Sequence, residues 1–165
     1  MEFLDHAQIL STSDEEAIKS QAQSMHLPDS VHEVLYATYP NSGEEFSRTL
    51  FHDLEREHPQ FISGSGLQKN VLVIAVGFEP NSMAVHCGTE VCQDIKIYDE
   101  GRVDGILDQM RSALADDDYT IGMILATRAA ADTTVRRQYT QDMPTWSVFI
   151  LSLIHISEPT RRTPI

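Results

Sequence analysis

The stretch Asn70–Glu90, NVLVIAVGFEPNSMAVHCGTE, constrains the fold more than any other part of this chain. Val71–Val76 is an unbroken apolar run rich in β-branched residues, and Gly77 closes it. A run with no polar face fits a strand covered on both sides, at the centre of an α/β sheet. Phe78-Glu79-Pro80-Asn81-Ser82 supplies turn chemistry. Met83–Cys87 then reads as a returning strand, ended by Gly88. Such a hairpin needs helices over both faces, and amphipathic segments flank it on either side.

On the N-terminal side, Met1–Leu10 is short and partly apolar and carries no clear period. Ser11-Thr12-Ser13-Asp14-Glu15-Glu16 starts a helix that should run to about Met25, with Ser13 and Glu16 at capping-box spacing. Val31–Tyr39 reads as the first core strand, and Pro40-Asn41-Ser42-Gly43 as a turn. Glu44–His58 is a second helix: Phe46, Leu50, Phe51 and Leu54 form one stripe, and Pro59 stops it. Ser63-Gly64-Ser65-Gly66 reads as a flexible loop.

After the hairpin, Val91–Tyr98 reads as an irregular segment or short strand. Asp99-Glu100 opens a third helix with Val103, Ile106, Leu107, Met110 and Leu114 as its buried stripe. Asp116-Asp117-Asp118 is a charged junction before a fourth helix, Tyr119 to about Gln138. There Ile121, Ile124, Leu125 and Ala129 face inward, and Arg136 and Arg137 suit the dipole of the last turn. A helix between the first two strands makes them parallel. The prediction is an α/β fold, a three-layer α/β/α sandwich with a small mixed β-sheet.

The chain has 165 residues, 25 acidic against 12 basic, for a formal net charge of -13. That length suits one domain with a proper core. Its charge argues against nonspecific binding to nucleic acid or an anionic membrane surface. There is no C-x5-R loop, P-loop or EF-hand spacing, and no D-x-D motif at the end of a strand, since Asp116-Asp117-Asp118 lies between two helices. His86, Cys87 and Cys92 form the one local cluster of soft ligands. The C-x4-C spacing allows a metal site, a disulfide across a tight loop outside the cytoplasm, or two half-buried free thiols, the plainest of the three.

Several short motifs, in order, resemble the TPM domain, a small α/β/α domain of thylakoid-lumen, bacterial and nematode proteins. Leu4-Asp5-His6-Ala7-Gln8-Ile9-Leu10-Ser11 is similar to that family's V-x-D-x-A-x-x-L-S, and the Ser-Asp-Glu-Glu helix start and the strand at 33–39 follow. Asn70–Val76 resembles its N-G-(V/L)-L-(L/I)-(V/L) strand. Asp118-Tyr119 with Gly122 resembles its D-Y-x-x-G helix entry. The loop that reads G-x-G-x-E-G in the family is here Gly88-Thr89-Glu90-Val91, preceded by Cys87. The resemblance covers about residues 3–135 and is greatest to an actinobacterial branch in which a transmembrane helix follows the domain.

The resemblance implies calcium or magnesium binding, or acid phosphatase activity. Hard cations need several converging oxygens. Asp5, Glu90, Asp99 and Asp104 are the carboxylates expected to supply them, from loops at one edge of the sheet, although Asp99 is also an N-cap candidate. The implied function is a non-catalytic, cation-tuned interaction or accessory module outside a bacterial membrane, assisting a membrane complex. The alternative is a weak metal-dependent acid phosphatase. A third reading is a cytosolic α/β domain that shares only the pattern.

The expected organisation is a TPM-like domain over 1–140, the start of a truncated, transmembrane-like segment over 141–150, and a non-native tail over 151–165. Met143–Ile150 places Trp146 before an apolar run, as at a membrane interface. Leu151–Arg161, LSLIHISEPTR, reads as one translated frame of a transposase-type sequencing adapter and is set aside from fold reasoning.

Overall fold

The computed structural model describes residues 1–41, 45–78 and 81–137. The segment 141–150 and the tail 151–165 lie outside the described residues. The elements in order are β1 (Glu2–Asp5), α1 (Thr12–Ser24), β2 (Glu33–Tyr39) and α2 (Phe46–Glu57). A 3-10 turn (Pro59–Phe61) precedes β3 (Ile62–Ser63), β4 (Gly66–Leu67), β5 (Val71–Gly77) and β6 (Ser82–Cys87). The chain continues through α3 (Thr89–Asp94), α4 (Arg102–Ala115) and α5 (Tyr119–Ala131). The main sheet has the order β1-β2-β5-β6. Its first three strands are parallel, and β6 returns antiparallel to β5.

Strand alternation divides the core in two. Val34, Tyr36, Leu72, Ile74, Val76, Met83 and Val85 point to one face, where Ile18 of α1, Ile106 and Met110 of α4, and Met123 of α5 cover them. Leu35, Ala37, Val73, Ala75 and Ala84 point to the other, under Phe46, Leu50 and Leu54 of α2. Every residue of β5 is buried, as its uninterrupted apolar run requires. The sheet is thus covered on both faces by helices, the expected α/β/α arrangement.

Several local expectations change. β1 has no sequence signature of its own; it is four residues long and sits at the sheet edge, where one neighbour, β2, selects it. Helix α1 is capped by Ser11 and Asp14, not by Ser13 and Glu16: the Ser11 hydroxyl accepts from Asp14 N, and the Asp14 carboxylate accepts from Ser11 N. The Ser63–Gly66 region is a small antiparallel pair, β3 with β4. The cap of α4 is Gly101 at φ 74°, because Asp99 turns its carboxylate elsewhere. Helix α5 ends at Ala131, so Arg136 and Arg137 lie beyond it. Ile121 is 44% exposed and does not face inward.

The segment after β6 is not a strand: residues 91–94 belong to a short helix, and residues 95–98 are the irregular turn expected. The helix, α3, starts there because Gly88 is pressed against the turn before β5. Gly88 N donates to Val71 O at 2.8 Å, and Glu90 N and Val91 N donate to Lys69 O at 3.0 and 3.2 Å. Cys87 and Cys92 are joined by a disulfide, with Cα atoms 5.3 Å apart. This corrects the free-thiol expectation: the α3 turn brings Cys92 back over the end of β6. By loop-closure entropy, so short a bridge contributes about 2 kcal/mol.

Candidate functional site

The carboxyl ends of parallel strands are where α/β sheets place ligand-binding loops. Here the first residue of that rim is Asp5, at the end of β1. Its Oδ1 accepts from Thr38 Oγ1 at 2.5 Å and from Ile9 N at 3.1 Å, and its Oδ2 accepts from Leu10 N at 3.0 Å. Thr38 Oγ1 in turn accepts from Ala7 N at 3.1 Å. Asp5 therefore organises the turn from β1 to α1, and three of the roughly four lone-pair directions of its carboxylate are occupied.

Beside it lies a polar cluster. The His6 ring stacks on Tyr39, with centroids 5.0 Å apart, and His6 Nε2 is 3.9 Å from Asp53 Oδ2 of α2. The edge of Phe46 closes the other side of Tyr39. Burial, then the Asp53 carboxylate, pushes the Tyr39 hydroxyl well above its ordinary pKa. These groups occupy the seam between the β1 edge and α2. Nothing local in the sequence marks His6, because its partners Tyr39 and Asp53 come from β2 and α2.

The four expected carboxylates are not gathered into one site. Among the described residues no group of three or more His, Cys, Asp or Glu side chains could hold a metal ion. Glu90 follows the antiparallel strand β6 and so lies at the opposite end of the sheet from Asp5. In register, Asp5 is level with Thr38 and Val76, whereas Cys87 is level with Leu72. Four strand residues separate those levels, about 13 Å. Glu90 Oε1 accepts from Lys69 Nζ at 2.8 Å. Asp99 accepts from Arg136 at 3.0 Å and Asp104 from Arg137 at 3.1 Å. Only Asp99 and Asp104 are neighbours, and both face cations.

The zinc-like cluster is also undone by alternation. His86 and Cys87 are successive strand residues and point to opposite faces. His86 turns toward α2, where its Nε2 lies 3.0 Å from Ser47 Oγ and the edge of Phe51 meets its ring. Both His86 and Ser47 are fully buried, and His86 Nδ1 has no hydrogen-bond partner. Burial holds the imidazole down at about 4, from 6.5. It is therefore neutral in the folded protein at neutral pH.

The sign of the resulting linkage is fixed. Between pH 6.5 and 4 the unfolded chain binds a proton at His86 that the folded one refuses, so stability falls as pH falls. The contribution is complete above pH 6.5 and is lost on the way down to about pH 4, a total of about 3 kcal/mol. Urea unfolding of the native protein and of His86→Leu between pH 7 and pH 4 reads this difference. The native protein should lose that much more than the variant. Parallel curves would remove His86 as an acid-sensitive group.

The sequence matches no protein-family model and no curated protein. The fold does have solved relatives. The solution structure of the N-terminal domain of a protein from P. gingivalis has a TM-score of 0.55 at 15% identity, over 84% of this chain and 87% of that one. The solution structure of the N-terminal domain of the cg2496 protein of Corynebacterium glutamicum has a TM-score of 0.51 at 14% identity, over 86% and 85%. At these identities the likeness is one of fold: an α/β domain shared with the N-terminal parts of two bacterial proteins.

Proposed function

We propose that this chain is a TPM-type domain of a membrane-anchored bacterial protein, held outside the cytoplasm, where it acts as a non-catalytic accessory module for a protein partner. The ordered TPM-like motifs support the reading, and so does the fold shared with two bacterial N-terminal domains. The observation that carries it is the Cys87–Cys92 disulfide, because such bonds form and persist in oxidising compartments. No helix among the described residues is long and apolar enough to cross a membrane. The experiment is a thiol count on protein taken directly from its own cells, by alkylation and intact mass. No alkylation before reduction, and two adducts after it, is the expected result. Two free thiols would remove the extracytoplasmic placement.

Cation tuning gains no geometric support from Asp5, Glu90, Asp99 and Asp104, since each already accepts from a protein donor. Millimolar calcium or magnesium is therefore expected to leave the melting temperature of the protein unchanged relative to chelator. A ligand that binds only the native state must raise it. A calcium-specific rise that Asp5→Asn abolishes would reinstate the cation site.

A further inference from the structure

After α5 the chain turns back instead of leaving the domain. Asp132 Oδ1 accepts from Thr134 N at 3.0 Å and starts the turn. Residues 132–137 then cross the beginning of α4. Arg137 N donates to Gly101 O at 2.8 Å. The guanidinium groups of Arg136 and Arg137 reach Asp99 and Asp104. Fully buried Arg102 donates to Val135 O at 3.1 Å from beneath.

The floor under this crossing is made of glycine. A Cβ on Gly105 would lie 2.7 Å from the carbonyl carbon of Arg136 and 2.9 Å from Arg137 N. One on Gly101 would lie 3.4 Å from Arg137 N. The side chains beside the crossing are the carboxylates that its two arginines need.

We propose that residues 132–137 are a releasable strap: the folded domain exists with the strap docked or undocked, and docking sets the direction in which the chain leaves at Arg137. The fastening differs in kind from the core beneath it. Of these residues, Val135 is the apolar one packed against the large cluster. Of the strap's two ion pairs, Arg136–Asp99 is the more exposed, at 33% and 53%, and so weak and sensitive to salt, whereas Arg137–Asp104 is more sheltered, at 25% and 15%. The α4–α5 interface below is closed by its own buried residues, Met110 and Leu114 against Met123. Undocking therefore uncovers backbone and charge and little apolar surface, which is the character of a local opening rather than global unfolding.

The test is trypsin cleavage of the full chain after Arg136 and Arg137, followed by intact mass, alongside the melting temperature. Gly105→Ala cannot hold the strap at its present distance, yet alanine favours helix α4. Cleavage at these two sites should rise roughly ten-fold or more, with the melting temperature at or above that of the native protein. The double variant Asp99→Asn, Asp104→Asn keeps the backbone and removes both charge pairs, and it should also open the two sites. Unchanged cleavage in the double variant would overturn the proposal. So would a rise in cleavage accompanied by an equal rise at Lys19 and Lys69, since the strap would then open only with the whole domain.

Discussion

Gly88→Ala lowers the melting temperature by on the order of 10 °C, with a stability loss of about 3 kcal/mol or more. The cause is distance. A Cβ at position 88 would lie 1.8 Å from Gln68 O, 2.6 Å from the Lys69 carbonyl carbon and 2.7 Å from the Gln68 carbonyl carbon. All three are backbone atoms, so no rotamer change relieves the overlap. Gly88 has φ -72°, a value that any residue adopts, so its need for glycine is one of space and not of conformation. Relief requires the α3 turn to lift from the turn before β5. That breaks the bonds from Gly88 N to Val71 O and from Glu90 N and Val91 N to Lys69 O, each worth about 1 kcal/mol net. Overpacking adds about 1–3 kcal/mol. The disulfide still holds Cys87 to Cys92, so the lifted turn moves as one piece. Thermal unfolding monitored by circular dichroism checks the result. A variant within about 2 °C of the native protein would show that the turn accepts a methyl group against Gln68 without lifting.

What was readable in the sequence follows from where each element draws its stability. Strand β5 and helix α2 carry their own evidence: an unbroken apolar run in one, and Phe46, Leu50 and Leu54 at helical spacing in the other. The parallel pairing of β2 with β5 follows from the crossover. Asp118 was legible as part of a helix junction, and its carboxylate indeed accepts from Ile121 N. Helix α3 was not legible because six residues have little helical stability of their own. Gly88, docked on a turn some twenty residues earlier in the chain, supplies what the local sequence lacks. β1 was hidden for a related reason, since its four residues gain strand character only beside β2. The candidate carboxylates failed as a set on one topological point: β6 returns antiparallel, so Glu90 ends at the far side of the sheet from Asp5. His86 and Cys87 looked like a pair in sequence and are separated by the pleat.

Arg102 was the least legible residue of all. An arginine in the first turn of a helix reads as a solvated charge, and one near a helix N-terminus is unfavourable to the dipole. In the fold it is fully buried and holds three chain segments together. Its Nε donates to Ile95 O at 2.8 Å, one terminal nitrogen to Ala130 O at 2.9 Å and the other to Val135 O at 3.1 Å. These acceptors belong to the link before α4, the last turn of α5 and the segment beyond it. Burial pushes the guanidinium down to about 10, so it remains charged at neutral pH. The like charge of Arg136 adds to burial, and Asp132 and Asp99 oppose both. Arg102→Met keeps the aliphatic stem and removes the donors. Three carbonyls at the junction then lose a charge-assisted bond each, and the loss expected is about 3–5 kcal/mol, tempered because no buried charge remains. Arg102→Lys does not restore it, since an ammonium cannot reproduce a planar fork aimed at three separated oxygens. Urea unfolding should rank native above Lys and Lys at or above Met, with both variants well below native. A Met variant as stable as the native protein would show that hydrophobic packing, and not the guanidinium, joins α4 to the end of α5.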